Sequence, residues 1–525
     1  MVTPTVRRDA LWALALSVLA LVTRALTLLV YSFDGLYGQD PFAYYDYAVG
    51  PLRTALASFQ PWPPTYWPPG YPLLIVAAGV IAGSAPPVAQ WVSLLCGAAV
   101  PALTYLLARE VWAALWPGED TGRWAQTGPL LAGLLVALNP QLWQSSIVVM
   151  ADAPGLAAAT LGAWALARYV RNGRAAWLVV SGGALAYAVL TRWAFALPAI
   201  PIALVALARL WALARTQWKA AVGQTLAAAL VTGLVLSPLI GSLLSPPPAD
   251  DFRAFAVDLD VYTWNPANAL RREFVTADGL LSYRFPNGLY YGLLPLHPYY
   301  FTPLLALFLL PGLARLPALA RSGWRARRSV LALGLLGVWP LLVLGFHAGA
   351  PWQNFRFGLA ALPPLAILAA AGVGAAARWR GGRLRWLVAA LTVAGLAWMA
   401  YGGWQLSRSF ILRKDGDLAL VAAVEAQTPP NARLLTFGQT LTFKHYSRLD
   451  THELWALTEA DLAALLADPA PTYLLLDVAN AESQWAGRAP EINYHWLRDG
   501  PGLVPLGQSG EQGEYQLFVV KGAQP

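Results

Sequence analysis

The 525-residue sequence has a single cysteine, Cys96, and only 12% charged residues, against roughly 25% in ordinary soluble domains. One cysteine excludes an intrachain disulfide and every cysteine-based zinc spacing. The five histidines form no His-x-x-His or Glu-x-x-His pair, so the usual helix-borne metal pairs are missing too. There is no Gly-x-x-x-x-Gly-Lys loop, no Gly-x-Gly-x-x-Gly after a strand and no Gly-x-Ser-x-Gly elbow. Those absences set aside the usual nucleotide cradles and the serine-hydrolase elbow. No internal repeat is visible, so an inverted-repeat transporter has no support at this level.

What is plentiful is apolar. Hydrophobic residues make up 57% of the chain and the mean hydropathy is +0.48. They come in blocks of about twenty residues, the length that crosses a bilayer core. The first block, 10–31, follows Arg7 and Arg8 and is read as an uncleaved span. Others lie at 88–108, 128–147, 154–170, 175–193, 195–213, 220–241, 299–316, 329–346, 357–377 and 386–405. The shorter apolar segment 71–83 starts among Pro68, Pro69, Gly70 and Pro72. It reads as a helix in the outer interface or re-entrant. The predicted fold class is therefore an all-α polytopic membrane protein of about 11 transmembrane helices.

The net charge of +8 is no sign of nucleic acid, because the basic residues cluster in short gaps between apolar blocks. With the N-terminus inside, the cytoplasmic gaps hold 19 basic residues and the outer segments of the membrane region hold seven. The positive-inside rule then places the C-terminus outside, in the cell (inner) membrane. The chain divides into a membrane domain, 1–405, with long outer loops at 32–87 and 242–298, and an extracytoplasmic domain, 406–525. The tail carries 14 of the 28 acidic residues. Ala432–Phe437, Tyr473–Val478 and Glu514–Val520 read as strands, and Thr458-Glu-Ala-Asp461 opens a helix. That makes it a small soluble α/β domain.

Chemistry-bearing residues gather on the outer side. The first loop places Asp34, Asp40 and Asp46 just beyond the first span, with Asp40 ahead of Pro41 and of Tyr44 and Tyr45. Asp152 is the lone acid of the next outer loop, ahead of Pro154. Each Asp-then-Pro pattern fits a helix N-cap, and each also fits a pre-aimed base or metal ligand. Arg192, in Leu190-Thr-Arg-Trp193, and Arg356, in Asn354-Phe-Arg-Phe-Gly358, oppose the charge bias of the outer face. Their forked geometry suits the oxygens of an anionic lipid head group. Arg24, inside the first span, reads as an anchor that snorkels to the interface. His297 and His347 flank spans on the same side.

The order Asp40-Pro-Phe-Ala-Tyr-Tyr, Tyr66-Trp-Pro-Pro-Gly-Tyr-Pro-Leu73, Met150-Ala-Asp152, Leu190-Thr-Arg192 and Arg356–Pro364, ahead of a soluble tail, resembles the membrane glycosyltransferases of the C-type (GT-C) fold. It is most similar to bacterial relatives of protein O-mannosyltransferases and the aminoarabinose transferase of lipid A. Pro41 stands where the family commonly has Glu after Asp, in a segment similar to the Asp-Pro-Tyr-Tyr of oligosaccharyltransferase catalytic subunits. The resemblance implies a polyprenyl-phosphate sugar donor and a lipid, glycan or protein acceptor, with transfer on the extracytoplasmic face and inversion at the sugar carbon. It implies Asp40 as base, Asp152 positioning the acceptor or sharing a divalent metal with Asp40, and Arg192 and Arg356 on the lipid phosphate, with Tyr44, Tyr45 and His347 lining the substrate site. The resemblance fixes no cofactor, and dependence on a divalent metal stays open. The competing classes are a transporter or flippase of polyprenyl-linked glycans and a non-catalytic homologue. The charge asymmetry makes its own prediction. A C-terminal reporter lies outside the cytoplasm, and a cysteine introduced by Arg321→Cys resists labelling from outside in intact cells; labelling there would reverse the topology.

Overall fold

The computed structural model describes residues 4–63, 65, 67–116, 124–244, 264–276, 278–317, 327–378, 382–510 and 513–521. Tyr66 and Arg321, the gap arginines Arg123, Arg325 and Arg380, and Arg253 with most of the first half of loop 242–298 lie outside the described residues.

Every one of the eleven apolar blocks is helical. Among the described residues six helices are long and apolar enough to cross a membrane, or seven if the bent pair Pro140–Ile147 and Asp152–Asn172 is one span; they include Pro86–Leu115, Phe355–Ala377 and Gly382–Gln427. The helical stretch Ala196–Leu244 is broken at Gln217 (φ −142°, ψ 63°), which separates the two blocks read at 195–213 and 220–241. The short apolar segment is the helix Gly70–Ala82.

The block 128–147 departs from a straight span. It divides into Trp124–Ala137 and Pro140–Ile147, and the latter meets the helix Asp152–Asn172 at 118°. Pro140 has no N–H to give, and the Gln141 N–H donates to Tyr299 O instead (3.2 Å). Arg24 repairs the break. Fully buried, it donates to Ala137 O and Ala20 O (both 3.0 Å) and lies over the Trp143 ring. The snorkelling anchor expected there is thus corrected. A carbonyl stripped of its helical donor in an apolar interior is costly, and the guanidinium supplies the missing bond. Asn139 completes the joint, accepting from Leu142 N (2.8 Å) and donating to Tyr300 O (2.9 Å).

The helix Leu362–Ala377 is the buried centre of the bundle. Its Gly372 packs on the turn Leu309–Leu313, where a Cβ would lie 1.7 Å from Phe308 O. Gly312 makes the reciprocal approach, 2.1 Å from Leu368 O. Small residues at such a crossing let backbones touch where no hydrophobic force separates helix from lipid.

The last helix, Gly382–Gln427, runs unbroken past residue 405, so the proposed boundary at 406 is no linker. Its final turns bury Leu420, Val421 and Val424 against Leu434, Leu475 and Leu517 of the tail. The tail sheet has the order β4-β3-β5-β7-β6, where β3 is Arg433–Thr436, β4 Asp450–Glu453, β5 Thr472–Leu476, β6 Leu503–Ser509 and β7 Tyr515–Val520. β3 is parallel to β4 and β5, and β7 is antiparallel to β5 and β6. Alternation sends Leu435, Leu474, Leu476 and Phe518 to the other face, against Leu462, Tyr494 and Leu497. The helix opened by Thr458 carries a reciprocal cap with Asp461. A hairpin, β1 (Glu273–Thr276) and β2 (Gly279–Ser282), leans on the tail through Leu280 N and Gln484 O (2.7 Å). Gly372→Ala should sharply reduce monodisperse protein in fluorescence-detected gel filtration, while Gly345→Ala, with open space before it, should be neutral. Equal yields would remove the Gly312–Gly372 contact as a fold determinant.

Candidate functional site

Two aspartates and two arginines from four distant segments meet at the end of the bundle that carries the tail domain. Asp40 sits in the first turn of the helix Gln39–Tyr47, behind Gly38 at φ +82°. Asp152 is the first residue of its helix. Neither side chain caps: the cap positions fall on Gly38 and Ala151, without side-chain bonds. Both carboxylates turn to arginine. Asp40 Oδ2 accepts from Arg356 Nη2 at 2.7 Å. Asp152 Oδ1 accepts from Arg192 Nη1 at 2.5 Å, and its Oδ2 lies 3.4 Å from Arg356 Nε. Those last two atoms are buried and face one another without a formed hydrogen bond.

Local structure aims the arginines. Arg192 follows the helix Ala175–Thr191 in an extended conformation. Arg356 opens a 3₁₀ segment, Phe355–Ala361, whose first N–H groups are capped by Asn354 Oδ1 (2.9 Å to Arg356 N). Phe357 lies between the two, 5.7 Å from the Arg192 guanidinium and 5.9 Å from that of Arg356. His347 stacks on the far side of Phe357 at 5.0 Å, 6% exposed. It is therefore a support behind the arginines, not a wall of the cavity.

Accessibility divides the quartet. Asp40 and Arg356 side chains are each 20% exposed, Asp152 only 5%. A cavity of about 270 Å³ is lined by Asp40, Arg356, Gln39, Gln144, Ser145 and Met150, together with Tyr37 and Phe410. Arg192 and Asp152 do not line it. Arg192 was expected on the phosphate; in the structure it neutralises Asp152, and Asp152 in turn fixes Arg356. Magnesium is commonly held by one or two carboxylates together with waters and a substrate phosphate, so a pair of aspartates serves only where both face one open position. Here Arg356 already stands between them, and among the described residues no group of three or more His, Cys, Asp or Glu gathers. The donor set does not fit a shared metal.

Tyr44 is buried beside all four charges and packs on Tyr71 at 5.4 Å. Burial pushes its phenol above the ordinary value, so it remains a neutral hydroxyl. Tyr45 is not brought to the cavity. Its hydroxyl donates to Ser84 O (2.5 Å) and its ring lies near His445, because consecutive helical residues face different sides. His297 stacks on Phe355 at 3.9 Å and accepts from Tyr299 N.

The other two first-loop aspartates join the tail. Asp34 binds Lys414 Nζ, on the last helix, and accepts from Tyr446 OH (2.6 Å). Asp46 Oδ1 meets His445 Nε2 at 2.8 Å. His445 and Tyr446 end the tail helix Thr440–Tyr446, and Phe42 stacks on His445 at 4.7 Å. Lys414, His445, Tyr446 and Phe357 are functional neighbours that sequence reading missed. The one signal available was the trio of aspartates itself, which offered more acids than one active site uses.

No protein-family model matches the chain, and no curated protein does. Among solved structures, ArnT from Cupriavidus metallidurans bound to undecaprenyl phosphate matches 97% of this chain and 98% of its own, with a TM-score of 0.59 at 15% identity. The same protein in its apo state matches over 98% and 99% of the two chains, with a TM-score of 0.57 at 14% identity. From the first span to the tail domain, the chain has the fold of the C-type membrane glycosyltransferases.

Proposed function

We propose that the protein transfers a sugar from a polyprenyl-phosphate donor to an acceptor hydroxyl on the extracytoplasmic face of the membrane. The observation that carries the reading is the paired Asp40 and Arg356 on one small cavity, with Asp152 and Arg192 buried behind them. The full-length likeness to a protein captured with undecaprenyl phosphate supports it.

The chemistry needs few groups. A glycosidase expels an alkoxide and requires an acid as well as a base. A phosphate leaves without a proton, so one base and one anion clamp suffice. In this reading the donor phosphate competes with Asp40 for Arg356 and releases the carboxylate. Asp40 takes the acceptor proton, and the acceptor oxygen attacks the anomeric carbon from the face opposite the phosphate. The C–O bond to phosphate breaks, its electron pair stays on polyprenyl phosphate, and the sugar carbon inverts. Arg356 holds the charge that develops, without a divalent ion. An apolar groove of about 570 Å³ is bordered by Leu296, Leu310, Leu336, Leu341 and Leu344 and shares no lining residue with the cavity at Asp40. Its wall segment reaches Leu294, which packs on Gly358, two residues from Arg356. That groove suits a prenyl tail.

A transporter of the same lipid would use ionisable groups at mid-membrane. The buried Arg24 gives Nη1 to two backbone carbonyls, while its Nε and Nη2 have no hydrogen-bond partner among the described residues, so the enzyme reading rests on the cavity at Asp40 and Arg356.

Asp40→Asn should lower turnover about 10²–10⁴-fold while polyprenyl-phosphate binding survives, measured as release of polyprenyl phosphate from a labelled lipid-linked sugar. Near wild-type turnover would end the base assignment. Arg356→Ala should weaken donor affinity and turnover together, and Arg356→Lys should restore part of each, because one ammonium cannot reproduce the fork. Asp152→Asn behaves differently. It leaves Arg192 without its carboxylate in a buried setting, where breaking a pair costs about 3–5 kcal/mol. Its signature is a lowered melting temperature alongside lost activity, whereas Asp40→Asn should melt close to wild type. Equal melting of both variants would contradict the division of roles.

A further inference from the structure

A second polar cavity, of about 210 Å³, lies between the start of the first-loop helix and the tail domain. It shares Tyr37, Gly38 and Gln39 with the cavity at Asp40, so the two open on a common wall. Its lining includes two glycines, Gly38 and Gly438, each at φ +82° with nothing within 4 Å of where a Cβ would be. A side chain at either would be strained and would enter the space.

The lining chemistry is selective. Gln439, Thr440 and Thr442 offer amide and hydroxyl groups from the tail, Asp417 and Glu453 add carboxylates, and Tyr37 and Phe42 add aromatic faces. Among the described residues no lysine, arginine or histidine is in the lining, the nearest cationic influence on Glu453 being Lys444. Gln439 is only 8% exposed. Its Nε2 is fixed by donation to Tyr515 OH (3.1 Å), yet its Oε1 is buried with no hydrogen-bond partner among the described residues. A buried acceptor left unmet is costly, and an incoming hydroxyl would satisfy it. Carboxylates and amides that accept from hydroxyls, beside aromatic rings, suit a polyol ring. Two carboxylates in the lining, Asp417 and Glu453, disfavour phosphates and other anions. The volume lies below the roughly 300–1,000 Å³ of drug-sized sites, which limits the ligand to about one ring.

We infer that this cavity is the acceptor subsite, and that it takes a single hydroxyl-rich ring, uncharged or bearing an ammonium group, whose reacting hydroxyl extends past Gly38 to Asp40. The word acceptor rests on the transferase reading; the binding chemistry does not. Burial lifts the Glu453 carboxyl above its usual range, in keeping with a dry, selective wall.

The test uses full-length protein in nanodiscs and saturation-transfer NMR with methyl α-glucopyranoside, glucosamine and glucose 6-phosphate. The first two should bind and the phosphate should not. Gln439→Leu should weaken methyl glucoside at least tenfold, with an unchanged tryptophan-fluorescence melting curve. Glu453→Gln, which keeps the shape, should lower binding of glucosamine relative to methyl glucoside. It decides the matter if Gln439→Leu does not fold. Binding of glucose 6-phosphate as strong as that of methyl glucoside, or unchanged binding in folded Gln439→Leu, or an unchanged ratio in Glu453→Gln, overturns the assignment. Asp40→Asn should bind all probes as wild type does. Probe binding without any donor-dependent release of polyprenyl phosphate would sink the transferase reading and leave the subsite standing. Transfer without probe binding would do the reverse.

Discussion

Arg356 held between two carboxylates is the contact on which the tail-bearing end of the bundle depends. Asp40 comes from the first outer loop, Asp152 from the bend after the third block, and Arg356 from the start of the central helix. Charges in a half-buried pocket lose hydration and must recover it from one another. Alternating them, Asp40–Arg356–Asp152–Arg192, leaves a neutral string in which every charge has an opposite neighbour. Such a string contributes little net stability. Its use is geometric: it fixes where one guanidinium and one carboxylate face the cavity.

Two successive breaks deliver Asp152. Proline at 140 ends one ladder of hydrogen bonds, where Arg24 and Asn139 satisfy the groups set free, and a second break after Ile147 sets the helix Asp152–Asn172 at 118° to Pro140–Ile147. With the helix redirected, its first residue points its carboxylate at the arginines instead of its own backbone. The N-cap reading of both aspartates fails for the same reason. A carboxylate offered a guanidinium forms a hydrogen bond in which both partners are ionised, and the cap positions fall earlier in the chain, on Gly38 and Ala151.

The fold was legible where one local rule governs. Bilayer thickness fixes span length, so apolar blocks announce helices, and the break at Gln217 falls between two of them. The central strands β3, β5 and β7 are apolar runs and could be read. The edge strands β4 and β6 could not. Asp450-Thr-His-Glu is polar, and Leu503–Ser509 carries Pro505 and Gly507 at a bulge. Edges are built this way to discourage further pairing. The site was half legible. Residue types at the outer ends of spans pointed to Asp40, Asp152, Arg192 and Arg356, but which arginine meets which aspartate is settled across 316 positions of chain. Lys414, 380 residues from Asp34, carries no local mark at all.

The first-loop helix ties these parts together. Asp40 and Asp46 are six residues apart on Gln39–Tyr47, which turns them roughly 240° around the axis at 3.6 residues per turn. One rigid element therefore gives one carboxylate to Arg356 and the other to His445 of the tail. Asp34, just before it, binds Lys414 and Tyr446, so both ends of the segment are pinned to the tail while its middle faces the bundle. The tail domain and Asp40 are thus joined through one helix, and the long helix Gly382–Gln427, whose final turns pack into the tail, joins the tail to the bundle as well.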